Sequence, residues 1–305
     1  MKLASFQYFP AKSAANEIRV GLYLNNHTVL DLKNEAAARG IDTGYSSMQE
    51  IIEGGTASHL MLQEMAAKPR ISGVLTNSII LTAPIPCLKK NVFCVGWNYA
   101  EHFAEGGKKL DDKREMPAFP MFFTKAPTAI NAPFGVVPFD ETISTQLDWE
   151  IELGVIIGTS GKNIAEADAM RHIFGYTIIN DITWRDVQRR HGGQFFKGKS
   201  LDGTCPMGPV IVTADALDPT NLNLSCRVNG VTKQSSNTKH MYFKIPKLIA
   251  ELSRGMTLEA GDIISTGTPE GVGFARTPPE WLKSGDLLES EIEGIGTMRN
   301  PIGEL

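Results

Sequence analysis

The stretch LDWEIELGVIIG, residues 147–158, alternates between apolar and other side chains along most of its length. Side chains two apart on a strand point the same way. Trp149, Ile151, Leu153, Val155 and Ile157 therefore form one apolar face, and Glu150 and Glu152 sit side by side on the other. Two like charges a few Å apart repel unless water surrounds them or something positive lies between them. One reading is a half-exposed strand whose acids face solvent. The other is a pair of hard oxygen ligands for a divalent cation such as Mg²⁺.

Short β-type runs recur as NVFCVG, MFFTK, GYTIINDI, PVIVTA, LNLSCRVNG, DIISTG and LLESEIEGIGTMRN. Helical patterns lie between them, in IAEADAMRHIF, TWRDVQRR, IPKLIAELSRG and PPEWLKSG. Strands this short, numerous and punctuated by turns predict an α+β fold: a mixed or antiparallel β architecture, closed or partly rolled, with peripheral helices. The first 85 residues read as a small α/β unit of their own. IRVGLYLNNHTVLDL is a hairpin about Asn25-Asn26, and SSMQEIIEGG and SHLMLQEMAAK are short helices, the first stopped by Gly54-Gly55. LTAPIPCLKK, with Pro84 and Pro86, makes a linker, so the expected division is 1–85 and 86–305.

Composition narrows the function classes. With 305 residues, 42% of them hydrophobic, the chain can bury substantial cores. A net charge of -4 argues against nucleic acid as the main partner, because phosphate binding needs a basic face. Cys87, Cys94, Cys205 and Cys226 form no C-x-x-C pair, which fits a reducing compartment. The N-terminus lacks a signal-peptide core, and no run approaches the roughly 18 apolar residues of a membrane helix. A cytoplasmic protein without membrane contact is expected.

GGQFFKGKS matches the phosphate-binding pattern G-x-x-x-x-G-K-[ST] through Gly193, Gly198, Lys199 and Ser200. That loop works only between a buried strand and a helix. Here the polar RDVQRRH precedes it, a D-G turn and prolines follow, and Phe195 and Phe196 crowd it. Nucleotide binding is rejected, but Lys199 stays a candidate.

Three other segments place polar groups where strands end. GYTIINDITWRDVQRR leads an apolar run into Asp181 and then a helix on which Arg185 and Gln188 share a face. Asp181 suits a helix cap and equally a third carboxylate ligand. VFCVGWNYAEHFAEGG carries His102 and Glu105 at i, i+3, where a carboxylate can orient an imidazole and raise its basicity; a surface ion pair is the plainer reading. DIISTGTPEGVGF ends in a glycine-rich loop that either approaches a ligand or simply turns tightly.

Taken in order, Asn98-Tyr99-x-x-His102-x-x-Glu105, Glu150-x-Glu152, Asn180-Asp181 with Arg185-Asp186-x-Gln188, Gly198-Lys199-Ser200-x-Asp202 before Pro206-x-Gly208-Pro209, and Thr266-Gly267-Thr268-Pro269-x-Gly271-Val272-Gly273 resemble the fumarylacetoacetate hydrolase superfamily from about residue 90 onward. The resemblance implies a mixed β-roll fold, a homodimer, and one Mg²⁺ or Mn²⁺ per chain. It places Glu150, Glu152 and Asp181 on the metal-ligand positions. His102 and Glu105 fall on the water-activating dyad, which sits on a lid in this family. Lys199 falls on a catalytic position, and Arg185, Gln188, Thr268 and Tyr99 on substrate-binding ones. Two departures stand out: Trp97 replaces a small or aliphatic residue before Asn98-Tyr99, and Ile182-Thr183-Trp184 replaces the usual V-S-A. The activity expected is metal-dependent hydrolysis of a C–C bond in an acylpyruvate or related 2,4-diketo acid. The alternatives on the same site are decarboxylation of an oxaloacetate-like acid, and hydration, dehydration or isomerisation of a related 2-oxo acid. A rival of another class is a binding module that keeps the fold without catalysis; it should have lost a ligand or the dyad, and this chain retains both.

Overall fold

Every residue of the strand Ile151–Ile157 is buried, because it lies inside a 12-stranded sheet with neighbours on both sides. In this computed structural model, which describes residues 1–9, 17–110 and 115–304, the main path of that sheet begins with Val74–Leu75, Thr28–Asp31, Arg19–Asn25 and Lys2–Tyr8. It continues through Cys205–Thr213, Ile173–Asn180, Ile151–Ile157, Ile263–Ser265, Val92–Gly96 and Met121–Lys125. Pairing along this path is antiparallel except between Ile263–Ser265 and Val92–Gly96. A second sheet of five strands runs Val231–Asn237, Asn223–Val228, Leu287–Ile292, Gly296–Gly303, Val137–Pro138.

The period-two pattern does what the sequence expects of it. Trp149, Ile151, Leu153, Val155 and Ile157 enter one core with Leu224, Leu288 and Met298 of the second sheet. Ile156 faces the other way, into a core with Met207, Ile211 and the apolar sides of the helices Met48–Glu53 and Gly55–Ala67. The result is α+β in three layers, helices over sheet over sheet, and among the described residues neither large sheet closes into a barrel. Lys2–Tyr8, which carries no clear strand pattern, pairs with Cys205–Thr213, so the N-terminal hairpin extends the main sheet.

Some elements depart from expectation. PPEWLKSG is not helical: the Leu282 N–H bonds to the Leu147 carbonyl at 2.8 Å, drawing the segment into a bridge. LLESEIEGIGTMRN is a hairpin of two strands rather than one. IAEADAMRHIF folds as a 3₁₀ helix over Glu166–His172. The polar strand Val231–Asn237 gives no apolar alternation to read. No described helix is long and apolar enough to cross a membrane.

Candidate active site

The run 147–158 is two strands. Leu147–Asp148 pairs with Thr183–Trp184, whereas Ile151–Ile157 pairs with Ile173–Asn180. The chain changes partner at Trp149-Glu150, and the freed Glu150 N–H is taken by the Asn180 side chain at 2.9 Å. Asp181 follows immediately on the neighbouring strand, its N–H bonded to the Glu150 carbonyl at 2.8 Å. Glu150, Glu152 and Asp181 consequently meet, each offering an oxygen within 4.8 Å of the others. All three are buried.

Their electrostatic settings differ. Burial alone would push the Glu150 carboxyl up, but Lys199 at 2.6 Å and Arg185 at 2.6 Å hold it at about 2. Glu152 goes the other way: burial, then Asp181 and Glu150, drive it well above the usual carboxylate range. The Ser265 hydroxyl and the Gly267 N–H donate to it, at 2.6 and 2.8 Å, but no lysine or arginine pairs with it among the described residues. Asp181 accepts from Lys199 Nζ at 2.7 Å and from Lys125 Nζ at 2.8 Å. Burial opposes the charge of Lys199, yet Asp181 and Glu150 raise its pKa above the ordinary value. Three carboxylates this close and this dry are self-repelling without a further cation, and an all-oxygen donor set fits Mg²⁺ or Mn²⁺.

His102 and Glu105 do meet. His102 Nδ1 donates to Glu105 Oε1 at 2.8 Å, since a carboxylate can only accept, and in the neutral ring this puts the lone pair on Nε2 for proton transfer. Glu105 is itself fixed by the Gly271 N–H, at 3.1 and 3.0 Å from its two oxygens. Gly271 has φ +100, and a Cβ there would fall 2.2 Å from the Lys233 carbonyl oxygen, so only glycine fits. Trp97, the departure from the family pattern, stacks on the imidazole at 4.9 Å with an interplanar angle of 27°.

Of the residues singled out in the sequence, His102, Glu150, Glu152, Arg185, Gln188, Lys199 and Thr268 line one cavity of about 330 Å³. Asp181 and Glu105 connect to it through Lys199 and His102. Tyr99 lies elsewhere, wholly buried in the larger core, and its hydroxyl has no hydrogen-bond partner among the described residues. Arg185 is committed to protein groups: Nε to Asp148 at 2.7 Å and Nη2 to Glu150. Thr268 accepts from Gln234 at 2.8 Å and donates to the Ile151 carbonyl at 2.9 Å.

Three contributors escape a reading of the sequence. Asp148 clamps Arg185 and also accepts the N–H groups of Gly273 and Phe274, at 2.6 and 3.0 Å. Lys125 is fully buried and holds Asp181. Gln234 ties the second sheet to the loop bearing Thr268. The only signal for Lys125 is a charge ending the apolar run MFFT, and Gln234 has none.

Residues 91–303 match the family described as Fumarylacetoacetate (FAA) hydrolase C-terminal, and the chain belongs to that family. It is 46% identical over 297 residues to an oxaloacetate tautomerase, YisK, of Bacillus subtilis (strain 168), covering 94% of this chain and 97% of that protein. Among solved structures it resembles a fumarylacetoacetate hydrolase from the psychrophilic Exiguobacterium antarcticum, with a TM-score of 0.81 and 38% identity over 100% of both chains. It also resembles a maleylpyruvate hydrolase from Sphingobium sp. SYK-6 in complex with manganese (II) ion and pyruvate, with a TM-score of 0.76, 29% identity and coverage of 100% and 99%.

Proposed function

We propose that this chain is a divalent-metal-dependent enzyme that interconverts the keto and enol forms of oxaloacetate. The observation that carries this reading is the buried Glu150, Glu152, Asp181 cluster facing one cavity with His102, in a chain related over almost its whole length to an oxaloacetate tautomerase. The sequence alone favours C–C hydrolysis of an acylpyruvate; the relationship favours the alternative on the same site, isomerisation of a 2-oxo acid.

Glu150, Glu152 and Asp181 would hold the Mg²⁺ or Mn²⁺. Such an ion supplies a seat for the oxygens of a 2-oxo acid and lowers the cost of negative charge developing there. The remaining steps belong to side chains. His102 Nε2 takes a proton from C3 of the keto form, and a proton returned to the 2-oxygen gives the enol; nothing is gained or lost overall. Glu105 keeps the imidazole in the tautomer that can accept at Nε2. Lys199, held charged at the cavity wall, stabilises the intermediate oxyanion. Hydrolysis would need an attacking water as well; tautomerisation needs one mobile proton.

The test is stopped-flow decay of the oxaloacetate enol with Mn²⁺, Mg²⁺ or EDTA, alongside acylpyruvate hydrolysis by the same preparation. Metal-dependent acceleration of enol decay is expected, and His102→Ala should lower it by about 10² to 10⁴ while sparing Mn²⁺ binding. Hydrolysis without tautomerisation would overturn the proposal in favour of the second reading, an acylpyruvate hydrolase, which the likeness to the maleylpyruvate hydrolase supports. Light scattering tests the homodimer that the family resemblance implies.

A further inference from the structure

Among the described residues, three cationic side chains line the cavity: Arg185, Lys199 and Arg189. Two of them are already engaged. Arg185 is held by Asp148 and Glu150, and Lys199 by Glu150 and Asp181. Arg189 has no carboxylate within ion-pair distance among the described residues, although its neighbour Arg190 pairs with Asp186 at 3.4 Å. It lies one helical turn beyond Arg185 on Arg185–Arg190, and i, i+4 residues share a face.

Arg189 is also positioned. Its guanidinium carbon lies 5.3 Å from the centre of the Phe274 ring, and that of Arg185 lies 4.6 Å from the same centre. Phe274 is buried, and its N–H is bonded to Asp148, so the platform under both guanidinium groups is fixed from behind. Arg189 is itself exposed, and a cation at the cavity mouth that rests on an aromatic face is a ready anion site, because the planar guanidinium can grip a carboxylate with two hydrogen bonds. The carboxylate next to the 2-oxo group would be seated by the ion that Glu150, Glu152 and Asp181 would hold. Any second carboxylate lies at the other end of the ligand, and among the described residues lining the cavity Arg189 is the cation left to receive it.

We propose that Arg189 recognises the second carboxylate of a dicarboxylic 2-oxo acid, and so makes the site prefer dicarboxylates to pyruvate-like monocarboxylates. This rests on the function proposed above.

The experiment uses the full chain loaded with Mn²⁺. Affinities for oxaloacetate and for pyruvate are read by rapid-mixing tryptophan fluorescence, and turnover of the oxaloacetate enol is measured separately. Arg189→Gln should weaken oxaloacetate by about 10- to 100-fold, the worth of a charge-assisted contact, and shift pyruvate by less than about twofold. Arg189→Lys should recover part of the loss. Arg190→Gln, which removes the same charge one residue away, should change neither affinity. An Arg189→Gln protein that binds oxaloacetate as the wild type does, or that loses both ligands equally, overturns the assignment. Since affinity is read apart from turnover, a wild type that binds oxaloacetate without interconverting its forms refutes the proposed reaction alone. The variant comparison then still judges Arg189.

Discussion

Glu150 and Glu152 stand two residues apart, share a face, and have opposite electrostatic settings. Glu150 neutralises two buried cations; among the described residues Glu152 is met only by a hydroxyl and an N–H. The two amide substitutions should therefore differ in effect. Glu150→Gln leaves Lys199 and Arg185 under-compensated and should destabilise the metal-free protein by about 3 to 5 kcal/mol. Glu152→Gln removes a charge that burial, Asp181 and Glu150 already disfavour, so metal-free stability should hold or rise. Both should abolish stabilisation by Mn²⁺. Denaturant unfolding in EDTA and in Mn²⁺ checks this, and equal losses from the two variants in EDTA would contradict it. The shared face was legible in the sequence because alternation is a property of the backbone. The difference between the two acids was not, since it depends on Lys199 and Arg185 arriving from 49 and 35 residues away.

The elements that build the site do so by close approach. The helical turn Phe196–Lys199 packs on the helix Arg185–Arg190 so tightly that a Cβ on Gly198 would lie 2.3 Å from the Gln188 backbone nitrogen. This is why glycine precedes Lys199 in a stretch that imitates a phosphate loop: the glycine admits another backbone. Gly198→Ala should force the turn outward, cost about 1 to 3 kcal/mol, and move Lys199 from its two carboxylates. The checks are unfolding in EDTA and enol turnover, with a fall in both expected. A variant of wild-type stability and rate would show that the contact yields easily. Strands with strong alternation were readable at this scale. The break at Trp149-Glu150 was not, because it records a change of hydrogen-bonding partner rather than any local breaker.

For the whole molecule, the first 85 residues do more than decorate the larger part. Lys2–Tyr8 covers the edge of Cys205–Thr213, and Leu3, Leu22 and Leu62 share a core with Met207 and Ile211. A fragment 86–305 would expose that apolar layer and an unpaired strand edge, so it should lack a cooperative unfolding transition by calorimetry. A folded, fully active fragment would contradict this. By itself the sequence determined the α+β class, the alternation that seats Glu150 beside Glu152, and the ordered motifs that mark the family. These follow from backbone periodicity and from residue types spaced a few positions apart. Only the tertiary structure decided that Lys125 and Asp148 brace the site, that Tyr99 belongs to the core, and that Arg189 lines the cavity with no carboxylate partner among the described residues. Which buried charges neutralise one another is fixed by packing between distant segments, and no local pattern in the chain carries that pairing.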